Sequence, residues 1–180
     1  MNISSYRSPK TEYRASSIEG NGRFAKENIK KNEIVAIRSG HIVNGLQLLE
    51  NAKVINGSEH QIADNFYLVP LIEKEFQEVM CYLNHSCQAN VGMQGNVVIV
   101  AMRDIVAGEE LCLDYSMIFN NDMQFECRCG LKNCREIVTG KDWMKKELQE
   151  KYLNYFSSYL LQKIQFWIIY QPKGLRSFGW

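Results

Sequence analysis

The chain has 180 residues, 46% of them apolar and 23% charged, with a formal net charge of +1. That length suits one ordinary domain with at most a small appendage. The balance excludes charge-driven disorder and a globally basic, nucleic-acid-coating surface, and six cysteines in a chain this long are too few for a small disulfide scaffold.

Residues 1–17 are polar and read as a loosely held arm, without the apolar core of a signal peptide. Residues 34–37 (Ile-Val-Ala-Ile) are short and β-branched, the mark of a strand. Residues 42–54 fit a helix or a mixed segment, and periodicity does not choose between them. Residues 64–72 contain Phe66, Tyr67, Leu68, Val69 and Leu71 but are broken by Pro70, which predicts an edge strand or an extended segment. Gln94-Gly95-Asn96 is a turn signal, so residues 97–102 are expected as the second strand of a hairpin. A second turn at Ala107-Gly108 leads into Leu111-Cys112-Leu113, a buried strand entering Asp114-Tyr115. Many short strands with frequent turns predict a mainly β domain with an α appendage.

After Cys134 the pattern turns helical. Thr139-Gly140-Lys141-Asp142 matches a capping box, and the helix after it would carry Met144, Leu148, Tyr152 and Tyr155 on one face. Ser157 is a plausible N-cap for a second helix bearing Leu160, Leu161, Ile164 and Ile168, ended by Pro172 and Gly174. No apolar run reaches the 18 or so residues that cross a bilayer, so no membrane partner is expected. The expectation is a soluble protein of a reducing, intracellular compartment, with cytoplasm and nucleus not distinguished. There, clustered cysteines more often hold metal than form disulfides.

Four segments carry chemistry. Gly20-Asn21-Gly22, followed by Arg23 and Phe24, permits positive φ and close backbone approach to a ligand; the bland alternative is a tight turn. Asn84-His85-Ser86-Cys87-Gln88-Ala89-Asn90 is dense in polar groups that need partners if buried. Gly108-Glu109-Glu110-Leu111-Cys112-Leu113-Asp114-Tyr115 feeds a strand into a polar aromatic. Cys127-Arg128-Cys129-Gly130-Leu131-Lys132-Asn133-Cys134 puts three thiols around a glycine, a knuckle suited to a soft metal. A structural zinc wants a fourth ligand, and Cys81, Cys87 and Cys112 are the cysteine candidates for it.

The order and spacing of these segments resemble the SET-domain protein lysine methyltransferases, over roughly residues 18–135. The resemblance implies a fold of short β-sheets around a knot-like threaded centre, with an arm at 1–17, the SET domain at 18–118, a post-SET zinc-binding segment at 119–137 and a helical extension at 138–180. It implies S-adenosyl-L-methionine as methyl donor, approached by Gly20, Asn21, Gly22, Arg23 and Phe24, with Asn84 and His85 on its polar ends and Phe125 near its adenine. It further implies Tyr115, His85 and Asn84 as the catalytic set, Tyr67 and Leu113 along a lysine channel, and Cys87, Cys127, Cys129 and Cys134 around one zinc ion. The partner implied is a protein presenting a lysine, histone tails being one candidate class, with no direct nucleic-acid contact and the oligomeric state open. Departures stand out. Ala89 replaces a usual proline, Leu113 replaces an aromatic that influences how many methyl groups are added, and Arg38 stands near a channel tyrosine's usual place. The competing readings are a catalytically inactive SET-like binding module and a zinc-knuckle nucleic-acid binder, the latter disfavoured by the near-neutral charge.

Overall fold

The computed structural model describes residues 3–170. Thirteen strands and five α-helices follow in order: β1 (Tyr6–Arg7), β2 (Thr11–Ala15), β3 (Asn21–Ala25), β4 (Ile34–Ile37), β5 (His41–Asn44), α1 (Gly45–Glu50), α2 (Ala52–Ile55), β6 (His60–Ala63), β7 (Phe66–Val69), α3 (Glu73–Val79), β8 (Asn84–His85), β9 (Val91–Gln94), β10 (Val98–Ala101), β11 (Glu110–Leu113), β12 (Gln124–Glu126), β13 (Ile137–Thr139), α4 (Lys146–Tyr152) and α5 (Ser158–Tyr170). The largest sheet runs β1-β4-β10-β9-β11-β3-β2, with β8 added alongside β11. A second sheet is β5-β7-β6, and β12 and β13 form a separate hairpin. The mainly β reading therefore holds, as do the strand at 34–37 and the β9–β10 hairpin, which pairs Val98 with Gln94 through Ala101 with Val91.

Three expectations need correction. The N-terminal arm is not loose: Tyr6 and Arg7 pair with Ile37 and Ala36, and β2 pairs with β3 from Thr11↔Ala25 to Ala15↔Asn21. Its polarity is that of edge strands whose outer faces meet water. Arg7 also donates to the carbonyls of Gln77 (2.8 Å) and Met80 (3.0 Å), where α3 ends and bare carbonyls need donors. The strand at residues 64–72 is not an edge: β7 lies between β5 and β6. Pro70 comes just after it, where the missing N–H ends the ladder without breaking it. The predicted capping box does not open a helix. Thr139 closes β13, its hydroxyl bonds Asp142 (2.9 Å), and Asp142–Met144 makes a single 3-10 turn before α4. Asp142 instead accepts from Arg135 Nε (3.1 Å), and Met144 is 38% exposed rather than on a buried face.

The tail is part of the core. Leu148, Tyr152, Phe156, Tyr159, Leu160 and Ile164 are buried in one cluster with Val35, Val91, Met93, Ile99 and Leu111 of the main sheet. Ser157 caps α5 as expected, its hydroxyl accepting from Leu160 N (3.3 Å); the side chain of Ile168, and Pro172 and Gly174, lie outside the described parts. Tyr152 OH (3.2 Å) and Lys151 Nζ (2.6 Å) both donate to the Cys87 carbonyl, so α4 grips the Asn-His-Ser-Cys segment from behind. The β12–β13 hairpin is tied down by charge. Arg135 meets both oxygens of the fully buried Asp114 (2.6 and 2.8 Å) while its Nε reaches Asp142. Burial alone would raise the Asp114 carboxyl, but the paired guanidinium outweighs it and holds the group below its ordinary value.

Two measurements test this architecture. Leu160→Ala should lower unfolding stability by about 2–5 kcal/mol in urea titration, since α5 is core; a helix that merely decorated the domain would lose far less. Arg135→Ala should cost about 3–5 kcal/mol by stranding the Asp114 charge. Because the folded Asp114 pKa is depressed, its stabilisation is present above the ordinary aspartate value of about 3.9 and is lost as pH falls below it. In the variant, burial without the guanidinium raises the Asp114 carboxyl instead, so the stability deficit should be largest at neutral pH and shrink as pH falls.

Candidate active site

The centre of the site is a parallel pairing of two short strands. β8 lies beside β11 with Asn84 opposite Cys112 and His85 opposite Leu113. Asn90, between β8 and β9, locks onto β11: its Nδ2 donates to the Glu110 carbonyl (2.8 Å) and its Oδ1 accepts from Cys112 N (2.8 Å). This leaves a buried asparagine fully used. After β11 the chain makes one 3-10 turn, Tyr115–Met117, capped by Asp114 accepting from Ser116 N (3.1 Å). That turn brings Tyr115 back over β8. Its backbone N–H donates to His85 Nδ1 (3.2 Å), so the imidazole proton sits on Nε2. Burial pushes His85 down to about 4, which keeps it neutral. The Tyr115 hydroxyl donates to the Leu83 carbonyl (3.1 Å), and burial, reinforced by nearby negative groups, pushes it up to about 12. A phenol held that high is a hydrogen-bond donor and not a base.

Tyr115 borders two cavities. One, of about 450 Å³, is lined by Glu19, Tyr115, Phe125, Glu126 and Arg128; a narrower recess beside it adds Ile18, Asn84 and His85. The other, of about 100 Å³, is lined by residues including Arg38, Glu59, His60, Leu113, Tyr115 and Phe119. Phe125 stands edge-on to His85 (5.5 Å) and tilted against Tyr115 (5.8 Å). At the first cavity the glycine loop is drawn in tightly. Gly20 has φ +48, and a Cβ on Gly22 would collide with the Glu110 carboxylate. Asn84 Nδ2 donates to Glu110 Oε1 (2.8 Å) and to the Glu19 carbonyl (3.1 Å), pinning that loop to the central strands. Glu19 and Arg128 face each other at 3.3 Å across the mouth. Carboxylates, a guanidinium, an open aromatic ring and a closely approaching backbone together suit a zwitterionic ligand that carries a flat heterocycle.

The structure thus brings together Gly20, Asn21, Gly22, Asn84, His85, Tyr115 and Phe125, and places Leu113 on the smaller cavity. Three named residues lie elsewhere. Arg23 points away on β3, donating to Cys81 O and Thr11 Oγ1 (both 3.1 Å). Phe24 is buried beneath the Arg14 guanidinium, 3.6 Å from its ring centroid. Tyr67 packs into the minor core of the second sheet with Val43, Ile55 and Val69 and does not line the smaller cavity. Arg23 and Phe24 take opposite faces of β3, and each is held there by a partner away from the cleft: Arg23 by Cys81 and Thr11, Phe24 by Arg14. Sequence reasoning missed Glu19, Glu110 and Arg128 as site residues. Their one signal is adjacency: Glu19 precedes Gly20, Glu110 lies in the Gly-Glu-Glu segment, and Arg128 sits between two cysteines.

The thiols of Cys87, Cys127, Cys129 and Cys134 all lie within 4.8 Å of one another. Three come from the loop of the β12–β13 hairpin and one from the turn after β8. Arg135 N donates to Cys87 Sγ and Glu136 N to Cys134 Sγ (both 3.3 Å). Burial works against the Cys129 thiolate, but backbone N–H donors outweigh it and draw the group down to about 7. A closed four-sulfur set with N–H donors behind it is compatible with a zinc site. Cys81 and Cys112 stand outside this set.

Comparison with known proteins agrees with this geometry. The SET domain family matches residues 20–116. The chain is 29% identical over 137 residues to histone-lysine N-methyltransferase 2B of Homo sapiens, covering 68% of this chain and 5% of that protein. It is 33% identical over 127 residues to the H3 lysine-4 specific histone-lysine N-methyltransferase of Schizosaccharomyces pombe, covering 63% of this chain and 13% of that one. The chain therefore spans a small fraction of these relatives. The methyltransferase domain of human histone-lysine N-methyltransferase SETMAR shares the fold with a TM-score of 0.53 at 20% identity, over 71% of this chain and 57% of that one. With the motif strands paired, the glycine loop pinned against them and the family pattern running through both, the chain belongs to the SET-domain family.

Proposed function

We propose that this protein is a protein-lysine N-methyltransferase that transfers a methyl group from S-adenosyl-L-methionine to a lysine side-chain amine. The observation that carries the reading is Tyr115, a single phenol bordering both a cleft suited to a zwitterion and a smaller cavity of about 100 Å³. Bound in the larger cleft, S-adenosyl-L-methionine supplies an electrophilic methyl group on a positive sulfonium. Gly20, Asn21 and Gly22 would hold it through their backbone, Arg128 and Glu19 through charge, and Phe125 through its ring face.

The chain's own task is to bind, orient and dry the reacting groups. A free lysine has a pKa of about 10.4, so neutralising it at pH 7 costs roughly 4–5 kcal/mol. Tyr115 cannot take that proton, because its hydroxyl is itself held up to about 12. It acts instead as an orienting donor whose own position is set by the Leu83 carbonyl and the His85 ring. Neutral His85 fixes the turn without adding a charge that would repel a sulfonium. Alignment of two reactants in such a site is worth about 7–11 kcal/mol. In this reading Cys87, Cys127, Cys129 and Cys134 hold one structural zinc, and four thiol ligands fit a reducing compartment. The substrate is a protein segment presenting lysine, and histones are the first class to test, as relatives carry that name.

Tyr115→Phe should retain donor binding by calorimetry and lose methyl transfer to core histones by at least about 100-fold. Donor binding without transfer in the unaltered protein would favour a non-catalytic binding module instead. Chelation, or Cys129→Ser, should lower thermal stability and donor affinity together, because the cysteine hairpin also carries Phe125. Full donor affinity after measured zinc loss would refute that coupling.

A further inference from the structure

The smaller cavity contains a charge that the reaction as described does not use. Arg38, just beyond β4, lines it and is only 7% exposed. Its NH1 and NH2 groups donate to the backbone carbonyls of Val79 and Ser58, which fix the guanidinium in place. Its Nε is buried and has no partner. A buried guanidinium remains charged and is donor-only, so it can accept nothing from an incoming ammonium.

The geometry points to Arg38 as a positioning residue for the amine. Its fixed positive charge beside the cavity disfavours a protonated lysine there and selects the neutral, nucleophilic form. This rests on the methyltransferase reading above. The groups facing Arg38 are known. Glu59, His60, Tyr82 and Tyr115 line the same cavity, and the charges of Cys81, Glu59 and Arg7 act on the guanidinium. Glu59 is the only acid among them, but it is half-buried and so more screened than Arg38. His60 already registers the field: burial first, then the Arg38 charge, push it down to about 4. Leu83, Leu113, Ile118 and Phe119 make much of the remaining wall apolar, which strengthens a fixed charge nearby.

The test is a pH profile of kcat with core histones as acceptor, because kcat reports the amine in the bound complex. Removing the charge in Arg38→Met, or in Arg38→Gln, which keeps a donor for the carbonyls, should move the acid limb up by about one pH unit. Arg38→Lys should restore it towards the original position. An unchanged limb in folded Met and Gln variants overturns the inference, as does a lysine variant that behaves like methionine. A binding measurement needs no turnover. With S-adenosylhomocysteine present, n-butylamine should bind the unaltered protein as free base only, its apparent affinity rising about tenfold per pH unit from 7 to 9, whereas in Arg38→Met that rise should flatten. The same slope in both proteins overturns the role of Arg38. Absence of any methyl transfer to histones would instead count against the enzymatic reading, and the amine titration would still decide Arg38.

Discussion

The Asp114 carboxylate lies fully inside the protein, and such a charge is tolerable only when its oxygens are satisfied. Arg135 supplies both contacts in a bidentate fork, and Ser116 N adds a third. The partner comes from a different part of the chain, one residue past the last cysteine of the knuckle. Asp114 in turn begins the 3-10 turn that positions Tyr115. One ion pair therefore joins the strand crossing, the hydroxyl at the site and the segment folded over it. A misplaced Arg135 would leave a buried charge, so this arrangement is close to all-or-none.

The rest of the site is built outward from that junction. His85 packs edge-on to Tyr115 at 5.3 Å and is kept neutral, so the ring against the phenol adds no charge of its own. Polar groups that would be costly if orphaned are spent on backbone: Asn90 on β11, Asn84 on the glycine loop and Tyr115 on Leu83. These bonds make the loop, the crossing and the phenol one rigid unit, which is the form in which alignment of reactants is effective. The two cavities differ in character. The larger is walled by exposed charges of both signs, whereas the smaller has an apolar wall and one immobilised guanidinium.

The helical tail and the cysteine hairpin serve this centre from two sides. α4 and α5 bury their apolar faces against the main sheet and hold Cys87 by its carbonyl. The hairpin presents Phe125 to the larger cleft and three thiols to the fourth at Cys87. Cys87 thus belongs at once to the crossing, the tail contact and the sulfur cluster.

The mainly β class, the strand at 34–37, the β9–β10 hairpin and the Ser157 cap were legible from residues alone, because each depends on local periodicity or turn chemistry. So were the segments that carry chemistry: Asn84, His85, Tyr115 and the three knuckle cysteines are unusual residue types at unusual density, while the fourth thiol stayed open among Cys81, Cys87 and Cys112. Folding in three dimensions settled the rest. The arm became edge strands because open edges of the sheet needed partners for their N–H and C=O groups. Asp142 became a salt-bridge acceptor rather than part of a helix cap because Arg135, seven residues earlier, reaches it across the hairpin end. Arg23 and Phe24 were drawn from the cleft by long-range partners, the Cys81 carbonyl and the Arg14 guanidinium, and Tyr67 went to a second core by sheet order. Arg38 stands out in the sequence only as a departure near a channel position, and its burial is decided by the carbonyls of Val79 and Ser58, 41 and 20 residues away, folding around it. Side-chain direction and long-range charge pairing are properties of the assembled sheets, and no local pattern encodes them.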